Sequence, residues 1–163
     1  MALSKIIQDS IADDAVTAAK IGSLPAGSVL QVVYGTTTTQ ANGGSSNGSY
    51  FDAGLSASIT PSSASNKIIV LVSLRLFTQP NCVGIARILR DNTTAIHGIA
   101  RYGLTDETST GDGNYYVVTE LDSPNTTNQV AYKAQVGRQG GSNDWYVQLD
   151  ADRSSMILME IAG

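Results

Sequence analysis

The stretch Lys67-Ile-Ile-Val-Leu-Val-Ser-Leu-Arg-Leu-Phe77 decides the fold. Ile68, Ile69, Val70, Leu71, Val72, Leu74 and Leu76 leave almost no polar side, so both faces of the segment need cover. Its length lies between a long strand and a short helix. Three β-branched residues in succession, Ile68 to Val70, stiffen χ1 against a helix, and the flanking Asn66 and Pro80 bound the run as a strand. The segment therefore reads as a strand in the middle of a sheet.

Upstream, Leu55 to Thr60 reads as a strand halted by Pro61 and the Ser62-Ser-Ala-Ser-Asn66 turn, and Ser28 to Tyr34 as the first strand. Between them, Thr36 to Ser49 is rich in Gly and Thr and is expected to be a long exposed loop or a loosely held ribbon. Downstream, Val83 to Arg90 and Thr93 to Arg101 pair about the turn signal Asp91-Asn92. A polar loop over Thr105 to Asn114 and a strand over Tyr115 to Leu121 follow, the strand ending at Asp122-Ser-Pro-Asn125. Gln129 to Val136 alternates, with Val130, Tyr132, Ala134 and Val136 on one face, as a half-buried antiparallel strand does. Gly137 to Asp144 reads as a loop, Trp145 to Asp150 as a strand, and Ser155 to Ala162 as the last strand. Roughly eight to ten strands at this spacing predict an all-β chain, an antiparallel Greek-key or jelly-roll β-sandwich.

The 163 residues fit one domain with a real core. Ser, Thr, Asn and Gly make up 58 of them while charged residues are only 15%, so small polar side chains keep the surface wet. A net charge of −4 gives no electrostatic footprint for phosphate backbones, and no nucleic acid is expected as a partner. No run approaches the ~20 apolar residues of a membrane span, and no membrane insertion is expected.

Residues 1–27 differ from the rest. They lack aromatics and space Ile6, Ile11, Val16 and Ile21 five apart, a period that is neither helical nor extended. Such spacing suits an extended repeat whose apolar residues are buried by neighbouring chains. A short helix from Ile11 to Lys20, capped by Asp9 or Ser10, is the other reading. In either form the segment needs a partner surface. Gly22 to Gly27 then reads as a hinge, dividing the chain into an N-terminal attachment segment, 1–27, and a β domain, 28–163.

Catalytic constellations are sparse. His97 is the single histidine and sits in the apolar alternation Ile96-His-Gly-Ile99, as a strand residue would. Cys82 is the single cysteine; it excludes an internal disulfide and would pair with His97 as a thiol catalyst only if the fold joined them. The acidic groups Asp106-Glu107, Asp112 and Asp150-Ala-Asp152 lack the spacing of a calcium loop, and Gly43-Gly44 and Gly140-Gly141 lack the context of a phosphate cradle. No catalytic residue, metal site or cofactor is expected. The candidate contact residues are Tyr115, Tyr116, Trp145 and Tyr146, since aromatic rings flanked by amides and carboxylates hold sugars. In Tyr115-Tyr116 and Trp145-Tyr146 one ring must face in and one out, and the inner ring is core or subunit interface.

Two parts of the sequence carry a family resemblance. Met1-Ala-Leu-Ser-Lys-Ile6 and Asp9 to Ile21 are similar to the Ile/Val repeats in the shafts and virion-proximal ends of small fibre and spike proteins of tailed bacteriophages, cyanophages in particular. Gly27 to Val33, Leu55 to Val72, Leu121 to Pro124, Ala131 to Lys133 and Ile157 to Gly163 resemble the distal domains of those proteins, which are similar to trimeric jelly rolls of the tumour-necrosis-factor and complement type. The resemblance implies a non-enzymatic virion protein assembled in the host cytoplasm as a homotrimer. Ile6, Ile11, Val16 and Ile21 would anchor it to a tail adaptor, nozzle or capsid protein, and its β domain would meet host polysaccharide as a short tail fibre or tailspike. Almost no shaft separates anchor from domain, which favours a stubby spike, a fibre tip or a capsid decoration (cement or head fibre). A polysaccharide depolymerase would need two carboxylates across a groove, and no long parallel β-helix fits in this length to build one.

Overall fold

The computed structural model describes residues 24–42, 47–102 and 112–163. The proposed anchor residues Ile6, Ile11, Val16 and Ile21 lie outside them, as do Asp106 and Glu107. Ten strands follow in order: β1 (Val29–Thr37), β2 (Ala41–Asn42), β3 (Tyr50–Ile59), β4 (Lys67–Thr78), β5 (Cys82–Arg90), β6 (Thr94–Tyr102), β7 (Asp112–Asp122), β8 (Val130–Gly141), β9 (Trp145–Val147) and β10 (Ser154–Ile161). A single 3-10 turn, Leu149–Ala151, precedes β10.

All the ladders are antiparallel, in two sheets. The first has the order β1-β10-β4-β7, with short β9 and β2 continuing beside the last residues of β4; the second is β3-β8-β5-β6. Among the eight long strands, first pairs with last, second with seventh, third with sixth and fourth with fifth. That is a long hairpin rolled on itself, the jelly roll the sequence predicts.

Alternation decides what the sheets enclose. Along β4, Ile68, Val70, Val72, Leu74, Leu76 and Thr78 are buried, and along β10 Met156 and Leu158 join them. From the second sheet come Ala53, Leu55, Ile59, Ala86, Ile88 and the predicted set Val130, Tyr132, Ala134 and Val136. The alternating antiparallel course puts the connections at two ends. Residues 24–28, the turns after β3, β5 and β7, and the C-terminus share the near end. The last residues of β1, β4, β6 and β8 share the far end.

The near end is tightly tied. Gly27 N–H donates to Ala162 O (2.8 Å) and Ala162 N–H to Ser28 O (2.9 Å), so entry and exit lie side by side. Asp91 and Asn92 both take positive φ (49° and 65°), and Thr93 N–H donates to Arg90 O (3.1 Å), so the expected turn at Asp91-Asn92 forms within a hairpin loop that also takes in Thr93, β6 starting at Thr94. Beneath it the Asp122 carboxylate accepts from Arg90 Nη1 (2.8 Å) and from the Tyr132 hydroxyl (2.7 Å). Burial, then this bond, raises the Tyr132 phenol well above its usual range. Glu160, fully buried, accepts from Ser62 N–H (2.6 Å), Ser62 Oγ (2.8 Å), Asn66 Nδ2 (2.6 Å) and Gln31 Nε2 (2.5 Å), which fastens the β3–β4 turn to β1 and β10.

Two expectations are corrected. Gly137 to Asp144 is not a loop from its start, because β8 runs on to Gly141. A Cβ at Gly137 would meet Ser49 O at 2.0 Å and one at Gly141 would meet Asn81 O at 1.9 Å, so these glycines admit a neighbouring backbone. The strand expected over Trp145 to Asp150 ends at Val147, where Gln148, Asp150 and Ala151 all adopt positive φ. For Thr36 to Ser49 the ribbon alternative holds over the loop in part, since β1 continues to Thr37 and Ala41–Asn42 pairs with β9.

Candidate functional site

The two sheets turn opposite kinds of surface outward. On the second sheet, Arg87 Nε and Nη2 donate to Gln135 Oε1 (2.9 and 2.7 Å), Gln135 Nε2 donates to Asp52 Oδ1 (2.6 Å), and Lys133 Nζ lies 3.0 Å from that oxygen. The hydrogen bond from Gln135 and the Lys133 ammonium hold the Asp52 carboxyl below its usual range. Arg87 also lies 4.0 Å above the Tyr50 ring. A hydrogen-bonded polar lattice of this kind is at home in water.

The outer face of the first sheet carries two largely apolar rows and a third of mostly hydroxyl side chains. Val32, Met159, Ile69 and Leu121 stand side by side across β1, β10, β4 and β7; Tyr34, Ile157, Leu71 and Thr119 form the next row; Thr36, Ser155, Ser73 and Val117 the next. The eight exposed large hydrophobics among the described residues include Val29 (51%), Val32 (59%), Tyr34 (55%), Tyr115 (54%), Val117 (68%) and Leu121 (57%), and these six all belong to this face. They come from strands whose other side already fills the core, so the sheet carries hydrophobic residues on both sides. Patterning of that kind belongs to a sheet covered on both faces.

At the far margin the rows change character. Tyr115 stands opposite Arg75, and Tyr146 opposite Phe77, all on the outer face. The Arg75 guanidinium lies 5.4 Å from the Tyr115 ring centroid, and its Nε donates to Asp152 Oδ2 (2.7 Å). It occupies the space above Gly113, where a Cβ would come within 2.8 Å of Nη1. Phe77 and Tyr146 form a tilted pair with centroids 6.2 Å apart.

The four candidate aromatics thus divide as alternation demands. Tyr115 and Tyr146 face outward. Trp145 is core at 1% exposure, packed 6.2 Å from Phe51, and Tyr116 packs against the core with its ring 5.9 Å from that of His97. Burial pushes the Tyr116 phenol up to about 12. His97 Nδ1 lies 2.6 Å from Glu120 Oε1 and joins the edges of the two sheets. It stands opposite Ile88, six residues and ~20 Å along β5 from Cys82, so the fold does not bring thiol and imidazole together. Burial also raises the Cys82 thiol. Among the described residues no three His, Cys, Asp or Glu side chains gather as a metal site.

Sequence reasoning named Tyr115 and Tyr146 but missed the apolar rows around them. The signal was the uninterrupted apolar run of β4, whose second face is only half-buried among the described residues.

No family model matches the chain, and a search of the curated proteins gives no match. Among solved structures, the chain is similar to those titled infectious bursal disease virus Gt strain (17% identity, TM-score 0.45) and Gx strain (13%, 0.46). It is also similar to the VP2 subviral particle of that virus (12%, 0.43). The matches cover 82%, 82% and 83% of this chain and 33%, 32% and 34% of those chains, so it spans about a third of their length. The overlap is too loose to transfer a role.

Proposed function

We propose that the chain is a non-enzymatic structural protein of a virion: a homotrimeric knob, of the tail-fibre or short-tailspike kind found in tailed bacteriophages. Three copies pack the Val32 and Tyr34 rows on the outer faces of their β1-β10-β4-β7 sheets around a common axis and leave the margin of Tyr115 and Tyr146 and the polar face of the second sheet in solvent. The apolar rows on that outer face carry this reading. Burying them supplies the association energy at ~25 cal/mol per Å², and a sheet that is apolar on both sides requires it.

The end-to-end polarity of the sandwich supports the rest. Gly27 and Ser28 lie beside the C-terminus at the near end, and residues 1–27 serve as the attachment segment to a tail adaptor, nozzle or capsid protein. The last residues of β1, β4, β6 and β8 lie at the opposite end, where a trimer presents each connection that follows them three times to the host surface and gains avidity from weak contacts.

The test is to mix purified protein with particles that lack it and to label them with an antibody to 28–163. The full chain is expected to decorate the particles at a fixed place, and a chain lacking residues 1–27 is expected to keep its mass per fold unit and lose the label. Label at the tail supports the fibre or spike; label over the head reassigns the same knob to capsid decoration. Undiminished labelling by the shortened chain would contradict the attachment segment.

A further inference from the structure

The far margin of the apolar face does not match the rest of it. The Val32 and Tyr34 rows nearer the chain termini are mainly aliphatic and hold no ion pair, whereas Tyr115, Arg75, Asp152, Phe77 and Tyr146 put three rings and one ion pair on the same side of the sheet. A purely packing surface gains nothing from an ion pair there, because desolvating it offsets the attraction.

The chemistry left open by these contacts is specific. Tyr115 is 54% exposed although the Arg75 guanidinium lies over its ring at 5.4 Å, so much of its apolar surface stays open to solvent. Arg75 spends Nε on Asp152 Oδ2 and Nη1 on Leu76 O (3.2 Å). Among the described residues this leaves Nη2 as an open donor and Asp152 Oδ1 as an open acceptor, on a carboxylate that is 45% exposed. A flat apolar plane beside one donor and one acceptor fits a pyranose: its C–H face stacks on a ring while adjacent hydroxyls give and take hydrogen bonds. The ion pair sums to zero, and the open carboxylate oxygen repels anions, so a neutral sugar fits better than an acidic one.

We propose that this margin, formed by Tyr115, Arg75, Asp152, Phe77 and Tyr146, binds a neutral hexose unit of a surface polysaccharide. The site rests on the functional reading above and gives it a ligand class and an address. The Gly113 position belongs to it indirectly, since a side chain there would push the guanidinium off its place over β7.

The experiment uses the full chain, with neutral gluco-, galacto- and mannotetraose and an acidic galacturonic tetramer as probes, by saturation-transfer NMR and titration calorimetry. The expected result is millimolar binding of at least one neutral tetramer by wild type, tenfold or more weaker in Tyr115→Ala and in Asp152→Ala, with the solution mass unchanged in both. Gly113→Ala is expected to weaken binding while leaving Tyr115 and Asp152 in the sequence. Failure of all three neutral probes, or preference for the acidic tetramer, overturns the site while a trimeric mass leaves the knob intact. A fall to monomer mass in Tyr115→Ala overturns it differently, by assigning the ring to the subunit contact. A monomeric wild type that still binds the sugar refutes the trimer and keeps the site.

Discussion

Leu71→Asp should turn the trimer into monomers without unfolding the domain. Leu71 stands at the centre of the apolar rows, flanked by Ile157 and Thr119, and is only half-buried within its own chain, so the isolated domain tolerates a carboxylate there. In the assembly the same carboxylate is desolvated against a neighbouring copy. At about 2 kcal/mol per subunit, three subunits lose about 6 kcal/mol, which lowers the association constant by roughly four orders of magnitude. Light scattering reads the loss of mass and far-UV circular dichroism the retained strands. Ser58→Asp, on the exposed outer face of the second sheet, is the matched control and is expected to leave the mass unchanged.

Glu160→Gln should cost more fold stability than any surface change. The carboxylate answers four donors at once, and a glutamine amide would turn an N–H toward at least one of them. Losing charge-assisted bonds in a buried network lowers the unfolding free energy by about 3 kcal/mol. That corresponds to roughly 6 to 12 °C in Tm for a domain of this size.

The acid limb carries a second signature of the same residue. Burial raises the Glu160 carboxyl, but the bonds from Asn66, Gln31 and Ser62 outweigh it and hold the group below its ordinary 4.5. A depressed folded pKa means stability that is complete above the ordinary value and lost as pH falls through the folded one. The gap between wild type and variant should therefore be full at pH 7 and close progressively below about pH 4.5. A gap that stays constant to pH 3 would show that the carboxylate is not the group holding this end together.

The particular strands show what the sequence carries and what it hides. β4 and the first half of β8 are legible because their apolar residues fill both parities from Ile68 to Phe77, or fall at a period of two from Val130 to Val136. The start of β3 was not, since Gly54 at φ 70° and a register shift between Asp52 and Ser56 break the alternation just where Tyr50 to Asp52 continue the ladder. Gly137 and Gly141 read as turn signals because a glycine admitting a close backbone and a glycine making a turn look the same in one sequence. Of the left-handed Gln148, Asp150 and Ala151, only Asp150 is of a residue type that favours that region, so the break after Val147 has little cue in the sequence.

Legibility of the site followed the same logic. Alternation told that one ring of each aromatic pair points outward, and Tyr115 and Tyr146 do. It did not tell that β1, β10, β4 and β7 would lie side by side, and only that adjacency turns scattered residues such as Val32, Leu121 and Met159 into one apolar surface.

The most direct measurement of the central claim is the solution mass of the full-length chain by multi-angle light scattering at neutral pH. Three chains of 17.0 kDa joined through the apolar face give about 51 kDa, held on dilution to the micromolar range. A monodisperse 17.0 kDa species at those concentrations would contradict the shared-axis knob.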